Sequence, residues 1–364
     1  MITYLVRHPE PSGRCVIHTG AMRAVAYDGF GTPPAVREVP PPECPPDGVV
    51  VRVRATGLCR SDWHGWVGHD PDIRLPHVPG HEFAGEIAEV GGSVTRWLVG
   101  DRVTAPFVCA CGQCPTCRRG EHQVCENQQQ PGFTHWGSFA ELVVVDVADV
   151  NVVRLPDRMS FDTAAGLGCR FATAYRAVVH HARPSPGEWV AVYGCGGVGL
   201  SAVMVAVAAG ARVVAIDPNA VARERAVALG AVAGLDPDDG PAAVHDVTGG
   251  GAAASIDAIG GADTLAAAVA GLARRGRHVQ VGLLGAARRV PARVISQTIA
   301  GELAILGSHG MPAHDYPAML DRVTSGELDP GRLVARRIGL DEAATELAAL
   351  GTARIDGVTI IHPN

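Results

Sequence analysis

Between residues 188 and 217 the chain reads as strand, glycine turn, helix, strand and acid, and that order restricts the possible folds more than any other feature. Glu188-Trp189-Val190-Ala191-Val192-Tyr193 is a short apolar run. After Gly194-Cys195-Gly196-Gly197-Val198-Gly199, the residues Leu200, Val203, Met204, Val207 and Ala208 recur at helical spacing. Gly194, Gly196 and Gly199 form G-x-G-x-x-G: the first permits a tight turn, the second lets the backbone approach a pyrophosphate, and the third lets helix and strand pack closely. The phosphates would lie on the positive end of the new helix, with Gly197 and Val198 in the same cradle. Eighteen residues after Gly199, the run Arg212-Val213-Val214-Ala215-Ile216 ends in Asp217, where a second strand delivers a carboxylate to the adenosine ribose. A carboxylate there opposes a ribose 2′-phosphate by like-charge contact. NAD is therefore favoured over NADP, although Arg223 and Arg225 are close enough in sequence to leave NADP open.

A chain of 364 residues exceeds one comfortable core and predicts two domains. The net charge of −6 and the lack of a long Lys/Arg tract give no support to nucleic-acid binding. No 18-residue apolar span occurs, and Arg7, His8, Pro9, Glu10, Pro11 and Arg14 break any signal-peptide core in the opening residues, so a cytoplasmic protein without membrane contact is expected. In such a setting ten cysteines with clustered spacing point to metal before disulfides.

Short strands dominate the first half: Met22 to Tyr27, Val49 to Ala55, Glu82 to Val90, Asp101 to Pro106 and Phe139 to Val145, separated by turns such as Pro40-Pro41-Pro42 and Gly91-Gly92. This predicts a compact all-β lobe. From Gly187 onward strands are expected near 188–193, 212–216, 254–259, 277–282 and 302–307, with helices between them. Leu265, Val269 and Leu272 mark one helical face, and Val221, Arg225, Ala228 and Leu229 another. The alternation predicts a doubly wound parallel sheet, so the fold class is α/β plus β. After Gly310 a helix opening at Asp341-Glu342-Ala343-Ala344 and a last strand at Val358-Thr359-Ile360-Ile361 are expected to rejoin the β lobe.

Cys111-x2-Cys114-x2-Cys117-x7-Cys125 brings four thiolates into 15 residues, with Gly112, Pro115 and Gly120 as the turn residues a knuckle needs. Soft sulfur ligands at this spacing suit tetrahedral zinc, and a closed four-thiolate shell leaves no place for substrate, so the site is structural. Cys109 is one cysteine too many: a bystander thiol, or a replacement for Cys111. A second set is dispersed. Cys59 opens Cys59-Arg60-Ser61-Asp62-Trp63-His64, His81 and Glu82 lie in Gly80-His81-Glu82-Phe83-Ala84-Gly85, and Cys169 lies in Leu167-Gly168-Cys169-Arg170. Spacing alone leaves Cys59 and Cys169 open between ligands and small buried hydrophobes.

Taken in this order, the Gly-His-Glu-x-x-Gly motif, the four-cysteine knuckle, the segment around Cys169 and the glycine loop resemble the zinc-dependent alcohol dehydrogenases of the medium-chain dehydrogenase/reductase (MDR) superfamily, from about Met22 to the C-terminus. The resemblance implies a GroES-like catalytic domain interrupted by a Rossmann domain. Its expected divisions are an N-terminal extension, poorly ordered, at 1–21, a catalytic domain at 22–172 with a zinc lobe at 109–126, a nucleotide domain at 173–311, and a return to the catalytic domain at 312–364. It implies Cys59, His81 and Cys169 as catalytic zinc ligands, with Glu82 able to enter in place of water. Two thiolates and a neutral imidazole leave one position where an alcohol oxygen can lose its proton near neutral pH. Ser61 resembles the family's hydroxyl that accepts that proton, and His64 the base that passes it on through the cofactor ribose. Arg60 either meets the pyrophosphate or is solvated.

Trp63, Trp66, Phe107, Phe133, Trp136 and Leu284 are expected as pocket walls, favouring a medium or bulky apolar alcohol or aldehyde over a polyol. Near the C-terminal strand, where relatives often carry a phosphate-binding arginine, the chain has Gly357-Val358. Either Arg354 substitutes, or the contact is absent. The expected activity is reversible oxidation of primary or secondary alcohols by hydride transfer to NAD, with two zinc ions per chain, in a homodimer or homotetramer extended through the edge strand 302–307. The rival readings are an aldehyde dismutase, a polyol dehydrogenase, and a catalytically silent zinc- and nucleotide-binding protein.

Overall fold

The computed structural model describes residues 20–284, 289–351 and 357–364. Arg354 and all but the last two residues of the expected N-terminal extension lie outside the described residues.

The alternating half folds as a six-stranded parallel sheet. Its order is Ala233–Leu235, Arg212–Ile216, Trp189–Tyr193, Ala252–Asp257, Leu272–Gln280, Ala304–Gly307. All five residues of the central strand Trp189–Tyr193 are buried, because helices cover both faces. The two-residue period of the strand divides them. Val190 and Val192 pack with Leu200 and Val203 of helix Gly197–Ala208, while Trp189, Ala191 and Tyr193 pack with Val244 and Ala268 on the opposite side. Chain order reverses between Trp189–Tyr193 and its neighbour Ala252–Asp257, which opens a crevice beyond their C-terminal ends.

Two helical expectations are corrected: helix Ala220–Ala228 buries Ala222 and Ala226 and leaves Val221 and Ala228 exposed, and the other helix ends earlier than its spacing suggests. Leu265 and Val269 share a buried face of helix Ala262–Ala270, but Leu272 opens the next strand. Gly271 ends the helix first, its N–H donating to Ala267 O at 2.9 Å. The outer strand Ala304–Gly307 has no partner on its far side among the described residues, and Ile295, Ile299 and Ile305 are exposed around it.

The β half centres on Val49–Leu58, three residues longer than its apolar run suggests, which carries the chain directly to Cys59. Its sheet runs Val334–Gly339, Val358–His362, Val49–Leu58, Phe83–Val90, Arg102–Thr104, Val153–Arg154, with Leu142–Val145 also paired to Val49–Leu58. Thr359, Ile360 and Ile361 lie antiparallel to Leu58, Gly57 and Thr56, so the C-terminal tail does rejoin the β half and the parallel sheet interrupts it. No described helix is long and apolar enough to cross a membrane.

Candidate active site

Strand pairing explains how distant residues meet. Thr56 pairs with Phe83, and Gly57 N–H donates to Glu82 O at 2.7 Å, so the end of one strand reaches Cys59 where the other begins after His81-Glu82. Cys169 arrives on a π-helical turn, Leu167–Phe171, a wider winding that recurs at functional sites. That turn is tied down twice: Phe107 N–H donates to Gly168 O at 3.1 Å and Arg170 N–H to Glu82 Oε1 at 2.8 Å. One ligand-capable atom from each of Cys59, His81, Glu82 and Cys169 then lies within 4.8 Å of all the others.

Asp62, given no role by the sequence, orients this cluster. It is 1% exposed; its Oδ1 accepts from Gly80 N–H at 3.1 Å and bonds His81 Nδ1 at 2.8 Å, and its Oδ2 accepts from Cys59 N–H at 2.9 Å. A carboxylate on Nδ1 leaves Nε2 as the donor nitrogen, and that buried Nε2 has no hydrogen-bond partner. An orphaned imidazole nitrogen facing two thiols and a carboxylate is the donor set a zinc ion satisfies, so the residues present fit the metal. The Cys59 thiol is held well below its usual pKa by a hydrogen bond from Cys169 and then by His81, despite burial; Cys169 is pushed up in turn. Burial opposes a charged His81, but Asp62 and Cys59 together outweigh it and raise that pKa.

Glu82 is fully buried and engaged by Arg170 through Nε at 3.0 Å and through an Nη2–Oε2 contact. Burial raises its pKa while the guanidinium opposes that rise. The Arg170 stem also lies where a Cβ on Gly197 would stand, 2.5 Å from its Cδ, so this one side chain spans the metal cluster and the glycine loop.

Ser61 and His64 share one face of the short helix Arg60–Trp66, three residues apart, and Ser61 Oγ lies 3.8 Å from Cys59 Sγ. Partial burial, together with the nearby His69 and Arg60, lowers the His64 pKa, which favours a neutral imidazole at pH 7. Arg60 is exposed, in keeping with the solvated alternative, and makes two contacts that neither alternative named. Its Nη1 donates to Leu350 O at 2.6 Å and its guanidinium sits 5.6 Å from the Trp63 ring centre, which ties this helix to the end of Leu340–Ala349.

Of the six expected wall residues, the structure puts two against the cluster: Phe133 and Phe107 lie 5.1 and 6.2 Å from the His81 ring. The other four serve packing. Trp63 and Trp66 pack on the core around Leu340 and Leu347, with Trp66 Nε1 donating to Thr32 O. Leu284 packs with Leu265, Val269 and Val294. Trp136 donates to Pro76 O and lines an open depression of about 660 Å³ beside Cys109 and Cys111, which shares no residue with the Cys59–His81–Cys169 cluster. His309, which spacing did not suggest, stands edge-on to Phe107 at 5.2 Å.

At the sheet switch point the glycines behave as their spacing predicts. Gly194 has φ +89°, and a Cβ on Gly199 would fall 1.6 Å from Gly194 O. A Cβ on Gly196 would meet nothing within 4 Å, leaving the open approach a pyrophosphate needs. Asp217 Oδ2 accepts from Cys195 N–H at 2.7 Å and Oδ1 from Asn219 N–H at 2.8 Å. Beside it, a cavity of about 240 Å³ lined by Ile216, Pro218, Leu235, Pro237 and Ile259 suits a flat heteroaromatic ring. Arg223 is engaged with Asp236 at 2.9 Å and with Asp217 O.

Cys111, Cys114, Cys117 and Cys125 converge separately, with Sγ–Sγ separations of 4.0 Å (111–117), 3.8 Å (114–125) and 3.5 Å (111–125). A tetrahedron with 2.3 Å zinc–sulfur bonds has edges of about 3.8 Å. Backbone N–H groups of Cys111, Cys114, Cys117 and Asn127 point at these sulfurs from 3.3–3.4 Å. N–H groups, led by that of Gln113, bring the Cys111 thiol down to about 6. Cys109 stands outside the four, buried, its thiol directed at Pro106 O.

The chain is similar to known proteins. Residues 45–157 match the alcohol dehydrogenase GroES-like domain, and residues 197–325 match the zinc-binding dehydrogenase domain. An alcohol dehydrogenase of Geobacillus stearothermophilus is 39% identical over 292 residues, covering 79% of this chain and 84% of the relative. A NAD-dependent alcohol dehydrogenase of Sulfurisphaera tokodaii is 31% identical over 355 residues, covering 94% and 100%. A Sinorhizobium meliloti 1021 structure bound to NADP shares the fold with a TM-score of 0.86, at 30% identity over 95% of this chain and 100% of that one. With its interrupted GroES-like half, its nucleotide crevice and its thiolate–imidazole cluster, the chain belongs to the zinc-dependent alcohol dehydrogenase family of the MDR superfamily.

Proposed function

We propose that this protein reversibly oxidises medium or bulky apolar alcohols to aldehydes or ketones, using NAD and a zinc ion held by Cys59, His81 and Cys169. The observation that carries the reading is the unpartnered, buried His81 Nε2 facing both cysteines and Glu82, in a site that Arg170 links to the glycine loop. Bound zinc would acidify the substrate hydroxyl, and bound NAD would accept hydride. The protein's own residues do the rest. Asp62 orients His81; Ser61, beside Cys59, takes the substrate proton; His64, kept neutral, receives it next; Phe107 and Phe133 exclude water from the reacting carbon. Glu82 is poised to enter the metal shell, with Arg170 holding its charge in the meantime.

Support for NAD comes from Asp217 beside the apolar cavity, from the engagement of Arg223 with Asp236, and from the NAD-dependent relative; the NADP-bound neighbour keeps NADP as the competitor to measure. The knuckle sulfurs would hold a second, structural zinc. The unpaired edge strand Ala304–Gly307, with Ile295, Ile299 and Ile305 exposed, supports a homodimer or homotetramer built by sheet extension. A panel of alcohols and aldehydes followed by NADH absorbance, on protein assayed for zinc, tests the reading. The expected result is turnover of apolar alcohols with about two zinc ions per chain. Zinc-loaded protein that turns over none of them would refute it.

A further inference from the structure

Helix Arg60–Trp66 is followed by a reversal at Val67-Gly68, where Gly68 has φ +83° and its N–H donates to Gly65 O at 3.0 Å. The reversal brings His69 back over the helix, its N–H donating to His64 O at 3.0 Å. The two imidazoles then lie side by side, ring centres 5.3 Å apart and Nδ1 to Nδ1 3.0 Å, both edge-on to Trp63. A neutral imidazole has one N–H and one lone pair, so a direct Nδ1–Nδ1 hydrogen bond requires one ring to donate and the other to accept. When His64 donates, its Nε2 is bare and ready to take a proton, and His69 carries its own proton on Nε2. The opposite pair of tautomers is poised to give one back.

We propose that His69 is a second imidazole in the proton path, a positioning and relay residue acting through His64; the proposal rests on the alcohol-oxidation reading above. A proton reaching His64 Nε2 forms a bond there as the His64 Nδ1–H bond breaks and its proton passes to His69 Nδ1. The His69 Nε2–H bond then breaks, and that proton leaves to water. Both rings end neutral with their tautomers exchanged, no electrons change hands, and aldehyde reduction runs the same path backward. Among the charged or titratable groups that act on His64, His69 and Arg60 disfavour its protonated form and so favour passing the proton on, while Cys59 acts the other way.

Two substitutions separate the relay from packing: His69→Phe keeps a ring on Trp63 without nitrogen, and His69→Gln keeps a hydrogen-bonding side chain that cannot exchange tautomers. The first readout needs neither nucleotide nor substrate. Nitrogen-15 spectra of the imidazoles should show an Nδ1–H shared between His64 and His69 in the native protein, replaced by an Nε2–H tautomer of His64 in His69→Phe. The second uses zinc-loaded enzyme with NAD in weak buffer. Both variants should lose about tenfold in kcat with little change in KM, as one member of a general acid–base path, and added imidazole should restore the rate while leaving the native enzyme unchanged. Native-like rates in both variants, a loss that imidazole does not repair, or native spectra with no shared Nδ1–H would each overturn the relay. A native enzyme that oxidises no alcohol would instead overturn the functional reading, and the spectra would still decide whether the shared proton exists.

Discussion

In the knuckle, four sulfurs come from the 15 residues Cys111 to Cys125 and are held by backbone N–H groups of the same loop. In the dispersed cluster the cysteines are 110 positions apart (169 − 59), and the cluster is held by buried side chains: Asp62 on His81 and on the Cys59 amide, and Arg170 on Glu82. The first arrangement would close around an ion with like ligands and leave it nothing further to do. The second mixes two thiols, an imidazole and a carboxylate already engaged by an arginine, a set that would leave a bound ion a position for exchange. Local sulfur clusters therefore read as stability, and dispersed, carboxylate-supported ones as chemistry.

The sharpest way to break that comparison is to remove one ligand from each side. Cys169→Ser is expected to lower alcohol oxidation by on the order of a thousandfold or more, whereas Cys117→Ser should cost one zinc and several degrees of melting temperature while leaving kcat per folded molecule within about threefold. Equal loss of turnover from both, measured on zinc-assayed protein, would end the distinction. Asp62→Asn comes next, with a fall of about 10- to 100-fold in zinc affinity or activity expected when the carboxylate that orients His81 loses its charge; chelator competition measures it, and native affinity would show that the carboxylate only packs. Asp217→Gly sharpens the nucleotide side: NAD-over-NADP selectivity in kcat/KM should fall by about tenfold, or about 1.4 kcal/mol, and an unchanged ratio would remove Asp217 from the ribose. The smallest effect serves as a control outside both metal regions. Hydrogen bonds from Arg154 hold Asp101 below its usual carboxylate pKa, so the pair stabilises above the unfolded value and its contribution is lost as pH falls through the lower folded one. Arg154→Met should therefore cost about 0.5 kcal/mol in urea unfolding at pH 7, and almost nothing near pH 2.

Several elements were legible because their signal is contiguous. The glycine turn, the acid ending the second strand and the knuckle each need only a short stretch to acquire their geometry, and the structure keeps all three. The pocket walls were not legible in the same way. Trp63, Trp66 and Trp136 sit beside the motifs in sequence, yet an indole near a motif fills the adjacent core as readily as it lines a cleft, and here all three nitrogens or rings are committed to packing or backbone contacts. Arg60 was legible only in part: it is exposed, as one of its two alternatives had it, but its long side chain also reaches the C-terminal end of another helix, at Leu350. Asp62 and His69 carried no signal of their own, since an acid inside a short helix and a histidine in a turn are ordinary surface residues until the fold buries one and doubles the other back.

By itself, the sequence determined two local geometries, the glycine turn with its acid at residues 194–217 and the four-sulfur cluster at residues 111–125, because short-range spacing of glycines and cysteines leaves the backbone few alternatives. Only the tertiary structure decided which residues share a centre. The antiparallel register of Val49–Leu58 with Phe83–Val90 brings Cys59 to His81, and the π-helical turn at Leu167–Phe171 adds Cys169 and places Arg170 across to the glycine loop. Those contacts depend on strand register and side-chain direction over more than a hundred residues, quantities that no local spacing contains.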